Sequence, residues 1–385
     1  MKPNIVRGVV AAAALALALT GCSTGASSSD KAGSGSSSDS AAASSSGGSV
    51  IDKELTATVG PNGEQPTPIS QLTLTDAEVA QLQAGHYTAA QLWHTSSQFI
   101  DAVQQGAAAE FQRLGIDVVA TTNANMDAGT QANQVQTAMA KKPSVIVGLP
   151  VDPTSAAAAF QPAVDAGTKL VFLSNVPQGY QYGKQYTSIV TDDLYDMGKR
   201  AAESLGKELG GKGEVGIVYY NAQYYVTNQR DAAFRTTLQK EFPDIKIVAE
   251  QGFSDPNNAT SIASGMLTQH PKLAGIYASW SQPAEGVLSA LRTVNNTTTK
   301  VVTLDLDDPV VIDMATGGAT VAVVADQAFD LGRGMADAAA YGLLGKTAPP
   351  FAVAGALTIT KDTIPQGYQE SLHADVPDAV KKVLK

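Results

Sequence analysis

The chain has 385 residues, 44% of them hydrophobic, which is ample for two α/β domains of ordinary size. Its formal net charge of −10 argues against nucleic acid as a partner and against electrostatic docking on an anionic membrane surface. A single cysteine, Cys22, excludes disulfides and Cys-based zinc sites within the chain.

Lys2 and Arg7 form a short basic start, and Val9–Leu19 is an apolar run of secretory length, too short to span a bilayer comfortably. Leu19-Thr20-Gly21-Cys22 then resembles the lipobox of bacterial lipoproteins. That resemblance implies a signal peptide over residues 1–21, cleavage before Cys22 and lipid attachment to its thiol. An ordinary secretory signal with an incidental cysteine is the alternative. Several acyl chains anchor firmly where one would be marginal. Loss of Lys2 and Arg7 leaves 24 basic against 36 acidic residues, a balance of −12. Residues 22–50, built almost wholly of Ser, Gly, Ala and Asp, cannot bury enough apolar surface to offset their ordering entropy. They are expected to be a flexible tether reaching on the order of 30 Å from the membrane.

In residues 51–85, Pro61, Gly63, Pro66 and Pro68 break any regular pattern. Leu74-Thr75-Asp76 leads into a short amphipathic helix through Val79 and Leu82, capped by Thr75 or Asp76. The segment is expected to be an N-terminal strap on the main body.

The stretch His86–Gly115 sets the pattern for the remainder of the chain. It reads as a strand over Tyr87–Trp93, a polar loop over His94–Gln98, and a helix carrying Phe99, Ile100, Val103, Ala107 and Phe111 on one face. Strands come next at Ile116–Ala120, Ser144–Leu149, Lys169–Ser174 and Thr187–Thr191, with helices near 128–141 and 154–166. A second series has strands at Val215–Tyr220, Ile245–Glu250, Ala274–Ser279, Lys300–Asp305 and Thr320–Ala325. Its helices lie near 193–209, 227–241, 257–268, 284–294 and 308–316. A long helix near 328–344 precedes a last extended run, Phe351–Thr360. Such alternation predicts parallel sheets covered by helices on both faces, and so many strands predict two lobes. Ligands of open parallel sheets collect beyond the carboxyl ends of the strands, which points to the loop holding Trp93, His94, Ser96, Ser97 and Phe99.

From 87 to 375 the chain resembles the ribose-type periplasmic binding proteins, the type I solute-binding components of bacterial sugar importers. The resemblance is carried by Ser96-Ser97-Gln98-Phe99, Arg230-Asp231-Ala232-Ala233-Phe234, His270-Pro271, Val301-Val302-Thr303-Leu304-Asp305 and Asp326, in that order and spacing. It implies an α/β fold of two Rossmann-like lobes, each a mostly parallel sheet flanked by helices, joined by three hinge crossings. These would lie near Asp192, Asp326 and Ala354–Gly355. The N-terminal lobe is then 86–191 plus 327–354, and the C-terminal lobe 192–326 plus 355–375.

A polyhydroxylated ligand needs bidentate donors and acceptors for its hydroxyls and flat aromatic faces for its C–H surfaces. The resemblance assigns ligand contacts to Arg230, against a surface salt bridge with Asp231 or Glu241, and to Asp305, at the end of its strand. Asp307 and Asp308 are expected to cap the next helix. Asp326 falls at a hinge position where the family often carries an amide, and site and hinge roles are balanced there. Trp280 stands where ribose binders have an asparagine, Asn175 where they have an arginine, and Ser174 where they have an aspartate. Those departures remove hydroxyl partners, add aromatic surface and argue against ribose itself. Phe99, Tyr224, Tyr225 and Trp93 are further candidate walls, with core packing equally open for Trp93. Ser97 and His94 complete the set of expected ligand contacts. His94, with no ligand cluster beside it, is a poor metal candidate, and the helix-end His270 reads as structural.

No G-x-S-x-G, H-E-x-x-H, P-loop or G-x-G-x-x-G occurs, and Asp305-Leu306-Asp307-Asp308 lacks the spacing of a calcium loop. The expectation is therefore a binding protein rather than an enzyme, without cofactor or metal. It would be a lipid-anchored monomer on the extracytoplasmic face that delivers a small sugar or polyol to an ABC permease. Two alternatives keep the fold: a box for a cationic or less polar solute held by charge and cation–π contact, and a sensor subunit that docks to a membrane receptor.

Overall fold

The computed structural model describes residues 57–384. The expected signal peptide, Cys22, the tether and the first residues of the strap lie outside them. Among the described residues no helix is long and apolar enough to cross a membrane.

The strap carries a short strand, β1 (Thr67–Pro68), and a helix, α1 (Asp76–Ala84). Thr75 caps α1 reciprocally: its hydroxyl accepts from the Glu78 amide, and the Glu78 carboxylate accepts from the Thr75 amide at 2.8 Å. Among the residues of α1 only Leu82 is fully buried, so the strap owes its position to other contacts. β1 pairs with a strand of the main body, and the Tyr341 hydroxyl donates to the Thr73 carbonyl at 2.8 Å.

The main body begins with β2 (Thr88–Trp93), α2 (Gln98–Arg113), β3 (Asp117–Asn123), α3 (Ala128–Met139), β4 (Val145–Gly148), α4 (Pro153–Asp165), β5 (Lys169–Leu173) and β6 (Ser188–Asp192). It continues with α5 (Leu194–Glu208), β7 (Lys212–Tyr220), α6 (Tyr225–Glu241), β8 (Asp244–Phe253), α7 (Ala259–Gln269), β9 (Leu273–Ala278), α8 (Ser281–Thr293), β10 (Lys300–Leu304), α9 (Asp308–Ala315) and β11 (Thr320–Ala325). The chain closes with α10 (Ala328–Leu343), β12 (Phe351–Ala354), β13 (Leu357–Ile359), α11 (Ile364–Leu372) and α12 (Asp378–Lys381).

Two sheets result. One has the order β1-β12-β6-β5-β4-β2-β3, every pair parallel. The other has the order β13-β11-β10-β9-β7-β8, parallel except where β13 meets β11. Central strands such as β4 and β10 are short Val- and Ile-rich runs buried on both faces, as helix-covered parallel sheets require. The fold is the expected one, two mostly parallel sheets flanked by helices.

Helix packing depends on glycine at two close approaches. On the first sheet α2 and α10 cross so tightly that a Cβ on Gly332 would collide with the Val103 carbonyl oxygen. On the second sheet a Cβ on Gly198 of α5 would collide with the carbonyl oxygen of Arg230 in α6. That second contact fixes the height at which Arg230 stands.

The chain passes between the sheets three times, after β6, after β11, and between β12 and β13. Phe351–Thr360, expected as one extended run, is two strands in two different sheets, interrupted at Gly355 and Ala356. The crossings are fastened to one another: the Asp193 amide donates to the Ala354 carbonyl at 2.7 Å, and Gln327 Nε2 donates to the Gly355 carbonyl at 2.8 Å. Helix α8 starts at Ser281, three residues before the expected start, because Pro283 sits in a first turn whose amides need no intrahelical acceptor.

Candidate functional site

A cavity of about 410 Å³ lies beyond the carboxyl ends of both sets of strands. The first sheet contributes the loop after β2 (His94, Thr95, Ser96, Ser97), Phe99, Leu149 after β4, and Ser174 after β5. The second contributes Tyr220 at the end of β7, Tyr224, Thr227 and Arg230 around the start of α6, Trp280 after β9, and Asp305 after β10. Asp192 and Asp326 stand at two of the crossings and complete the floor.

Ser174 and Asp305 occupy equivalent places in the two sheets, and both adopt left-handed backbone conformations, with φ of 55° and 65°. A non-glycine residue in that region carries strain, and such strain concentrates at functional sites. Both residues line the cavity, where Ser174 Oγ lies 2.8 Å from Thr191 Oγ1 and Asp305 meets Arg230.

His94 is buried, and burial pushes its imidazole down to about 3, so the ring is neutral at ordinary pH. Its Nδ1 has no hydrogen-bond partner in the protein. The ring faces Tyr224 across the cleft with centroids 6.4 Å apart. Ser97 lines the cavity and also caps α2, accepting from the Ile100 amide at 3.2 Å.

Arg230 is 4% exposed. Asp231, a partner in the alternative surface salt bridge, instead accepts from the Tyr277 hydroxyl at 2.6 Å and the Ser279 hydroxyl at 2.8 Å. The guanidinium donates to Asp305 Oδ1 at 2.6 Å and to the Ser279 carbonyl at 3.2 Å, and lies 4.0 Å from Asp326 Oδ1. Burial opposes its charge, but Asp305 and Asp326 outweigh burial and hold the group protonated above its ordinary range. Nε remains without a partner in the protein.

Asp192 and Asp326 are both buried and hydrogen-bonded to each other. Burial raises Asp192 to about 6, with the bond from Asp326 working against it. Burial and the Asp192 charge raise Asp326 much further. Both carboxyls of the pair are thus held above their ordinary range, and Asp326 Oδ2 has no partner in the protein.

Trp280 belongs to an aromatic wall, edge-on to Tyr220 with centroids 5.7 Å apart and to Phe253 at 5.1 Å. Tyr224 packs edge-on to Tyr220 at 5.6 Å and leaves its hydroxyl without a protein partner. Trp93, by contrast, is a core residue, 1% exposed and absent from the cavity lining. Tyr225 also faces elsewhere, donating to the Val59 carbonyl of the strap.

Seven of the eight residues expected to meet a ligand (His94, Ser97, Phe99, Arg230, Trp280, Asp305, Asp326) line this cavity. Asn175 does not. It is fully buried, and its side-chain oxygen accepts from the Val226 amide at 3.2 Å, tying the loop after β5 to the start of α6. Sequence reasoning passed over Tyr220, Thr227 and Asp192 as site residues. Tyr220 and Asp192 end strands and could have been found on that ground; Thr227 lies inside a helix and carried no such signal. Asp307 caps α9 as expected, accepting from the Asp308 amide at 3.0 Å. Among the described residues no group of His, Cys, Asp and Glu side chains could hold a metal ion.

Residues 91–347 match the family described as periplasmic binding protein domain. A D-ribose/D-allose-binding protein of Pseudomonas aeruginosa is 28% identical over 169 residues, 43% of this chain and 52% of the relative. The chain thus spans about half the length of that curated relative. Among solved structures, an ABC transporter solute-binding protein from Mycobacterium smegmatis with bound glycerol is 27% identical, with a TM-score of 0.64 over 72% of this chain and 95% of that one. A solute-binding protein from Agrobacterium vitis bound to α-D-tagatopyranose is 23% identical, with a TM-score of 0.66 over 72% and 96%. A carbohydrate transporter solute-binding protein from Agrobacterium radiobacter in complex with D-arabinose is 23% identical, with a TM-score of 0.66 over 75% and 99%. The last two share the fold.

Proposed function

Because the chain belongs to the periplasmic binding protein domain family, we propose that it captures a small sugar or polyol between its two lobes and delivers it to an ABC-type importer. The observation that carries this reading is a set of buried polar atoms without protein partners around one cavity: His94 Nδ1, the Tyr224 hydroxyl, Arg230 Nε and Asp326 Oδ2. Buried polar groups are hydrogen-bonded as a rule, and a group of orphans on residues that line one cavity is matched by a ligand rich in hydroxyls. The Trp280–Tyr220–Phe253 wall supplies apolar surface for the C–H face of a ring.

The lobes comprise 86–191 plus 327–354 and 192–326 plus 355–375, and they close on the ligand by bending at the three crossings. Hinge closure around ligands is an established class of motion in periplasmic binding proteins, and the ligand shifts the balance only by its preference for the closed state. The protein acts by binding rather than catalysis, as a monomer held outside the cytoplasmic membrane by lipid on Cys22. The permease reads the closed form.

Thermal shift against a panel of pentoses, hexoses and polyols, with Arg230→Ala beside wild type, tests the reading. A wild-type hit that Arg230→Ala weakens by about tenfold or more is expected, since a hydrogen bond to a charged group is at stake. A hit left unweakened would remove Arg230 from the site, and a panel without hits would defeat the capture of sugars.

A further inference from the structure

The charges buried around the cavity do not balance. Arg230 and Asp305 form one neutral pair with a 2.6 Å contact. Asp192 and Asp326, hydrogen-bonded to each other and both raised by burial, add two more carboxyls to the same cavity. Among the described residues lining the cavity, Arg230 alone carries a permanent positive charge, and it is already engaged. Asp307 and Glu285, both lining residues, add acidity and no cation. An uncompensated charge held away from water is costly, and a neutral hydroxyl can solvate it without cancelling it.

One atom shows where the compensation belongs. Asp326 is 3% exposed, lines the cavity, and has an Oδ2 with no hydrogen-bond partner in the protein. The Tyr224 hydroxyl and His94 Nδ1 are also without partners, and each can accept a hydrogen bond. A primary ammonium brings three donors and one positive charge, which fits this deficit on both counts.

Resting on the sugar-capture reading, we propose that the preferred ligand is an amino sugar or aminopolyol of monosaccharide size, its protonated amine seated on the Asp192–Asp326 pair. The amine replaces the missing counter-charge, while Arg230 Nε and the hydroxyl-bearing walls take the rest of the molecule. The Tyr220–Trp280 surface lines the same cavity as Asp326, so the cation also enters an aromatic-lined space.

The test is calorimetric titration of the purified full chain with D-glucosamine against D-glucose, D-galactosamine against D-galactose, and N-acetyl-D-glucosamine. At least one amine should bind tighter than its neutral parent by about tenfold or more, as expected for a charge-assisted hydrogen bond. N-acetylation, which removes the charge, should abolish that advantage, and the double variant Asp192→Asn/Asp326→Asn, which leaves no carboxylate on the pair, should bring the ratio toward one. Should the double variant fail to fold by circular dichroism, at least one of the two single variants should lower the ratio, and a ratio unchanged in both would overturn the seat on this pair. Neutral sugars that bind as well as or better than their amines would overturn this inference and leave sugar capture standing. Absence of binding by both kinds would overturn both. Stabilisation by calcium or magnesium alone would assign the counter-charge to a metal ion and overturn the amine.

Discussion

Arg230 and Asp305 were legible through the family resemblance, and Asp305 also as a carboxylate directly after an apolar strand, whereas Arg230 stands in the second turn of α6. What the sequence did not reveal is that they meet. Removing one member of a buried pair leaves the other uncompensated, which costs about 3–5 kcal/mol where no substitute is near. Here a substitute exists for only one of them. With Asp305→Asn, Arg230 still has Asp326 at 4.0 Å. With Arg230→Ala, the Asp192, Asp305 and Asp326 carboxyls lose the one guanidinium among them. Arg230→Ala should therefore destabilise more than Asp305→Asn in denaturant unfolding. The double variant should cost less than the sum, with a coupling of about 0.5–3 kcal/mol. Strict additivity would show that the pair contributes nothing as a pair. Asn175 marks the other side of legibility: its place after a strand was readable, but whether its amide faced the cavity or a backbone amide of α6 depended on packing that no local pattern encodes.

Elements were read from apolar periodicity, which worked where a strand or helix has one buried face and failed at the ends, where caps and crossings decide. The α2–α10 pair is an example of what lies beyond periodicity. Its glycine contact brings the helices close enough to bury Glu110 beside Asp337, with Arg113 and Arg333 at the edge. Burial, and after it the charge of Glu110, push the Asp337 carboxyl up to about 8. In the unfolded chain the same group releases its proton near pH 4. Between those values the folded state binds a proton that the unfolded state has lost, so stability from this group is full below about pH 4 and declines as pH rises toward 8. Asp337→Asn keeps a neutral, hydrogen-bonding side chain at every pH. Its melting temperature should fall less steeply than that of wild type between pH 5 and 8. Parallel slopes for the two proteins would mean that Asp337 is ionised throughout.

At the scale of the whole molecule, alternation of short strands with helices was enough to give two sheets, and the count of strands was enough to divide them. The fastenings between the sheets were not legible, because they join residues far apart in the chain through single hydrogen bonds. Besides the three crossings, the start of α6 is tied to the loop after β5 of the first sheet through Asn175 and the Val226 amide at 3.2 Å. The strap adds a further bridge: Thr58 bonds Asp193 and accepts from the Tyr195 amide at 2.9 Å, and Val59 accepts from Tyr225, while β1 and Thr73 are fixed to the first sheet. Because Tyr224, Thr227 and Arg230 ride on this end of α6, whatever holds it against the first sheet also sets how far apart the cavity walls stand. Asn175→Ala removes one such tie and leaves Val226 in a first helical turn whose amide water can satisfy. One hydrogen bond is worth about 0.5–1.5 kcal/mol, so the closed population should fall, and the apparent affinity for any bound sugar should fall with it, by roughly two- to tenfold. Small-angle scattering without sugar should show a larger radius of gyration than wild type, and saturating sugar should bring the two together. Unchanged affinity together with an unchanged radius would mean that the Asn175 bond follows closure without contributing to it.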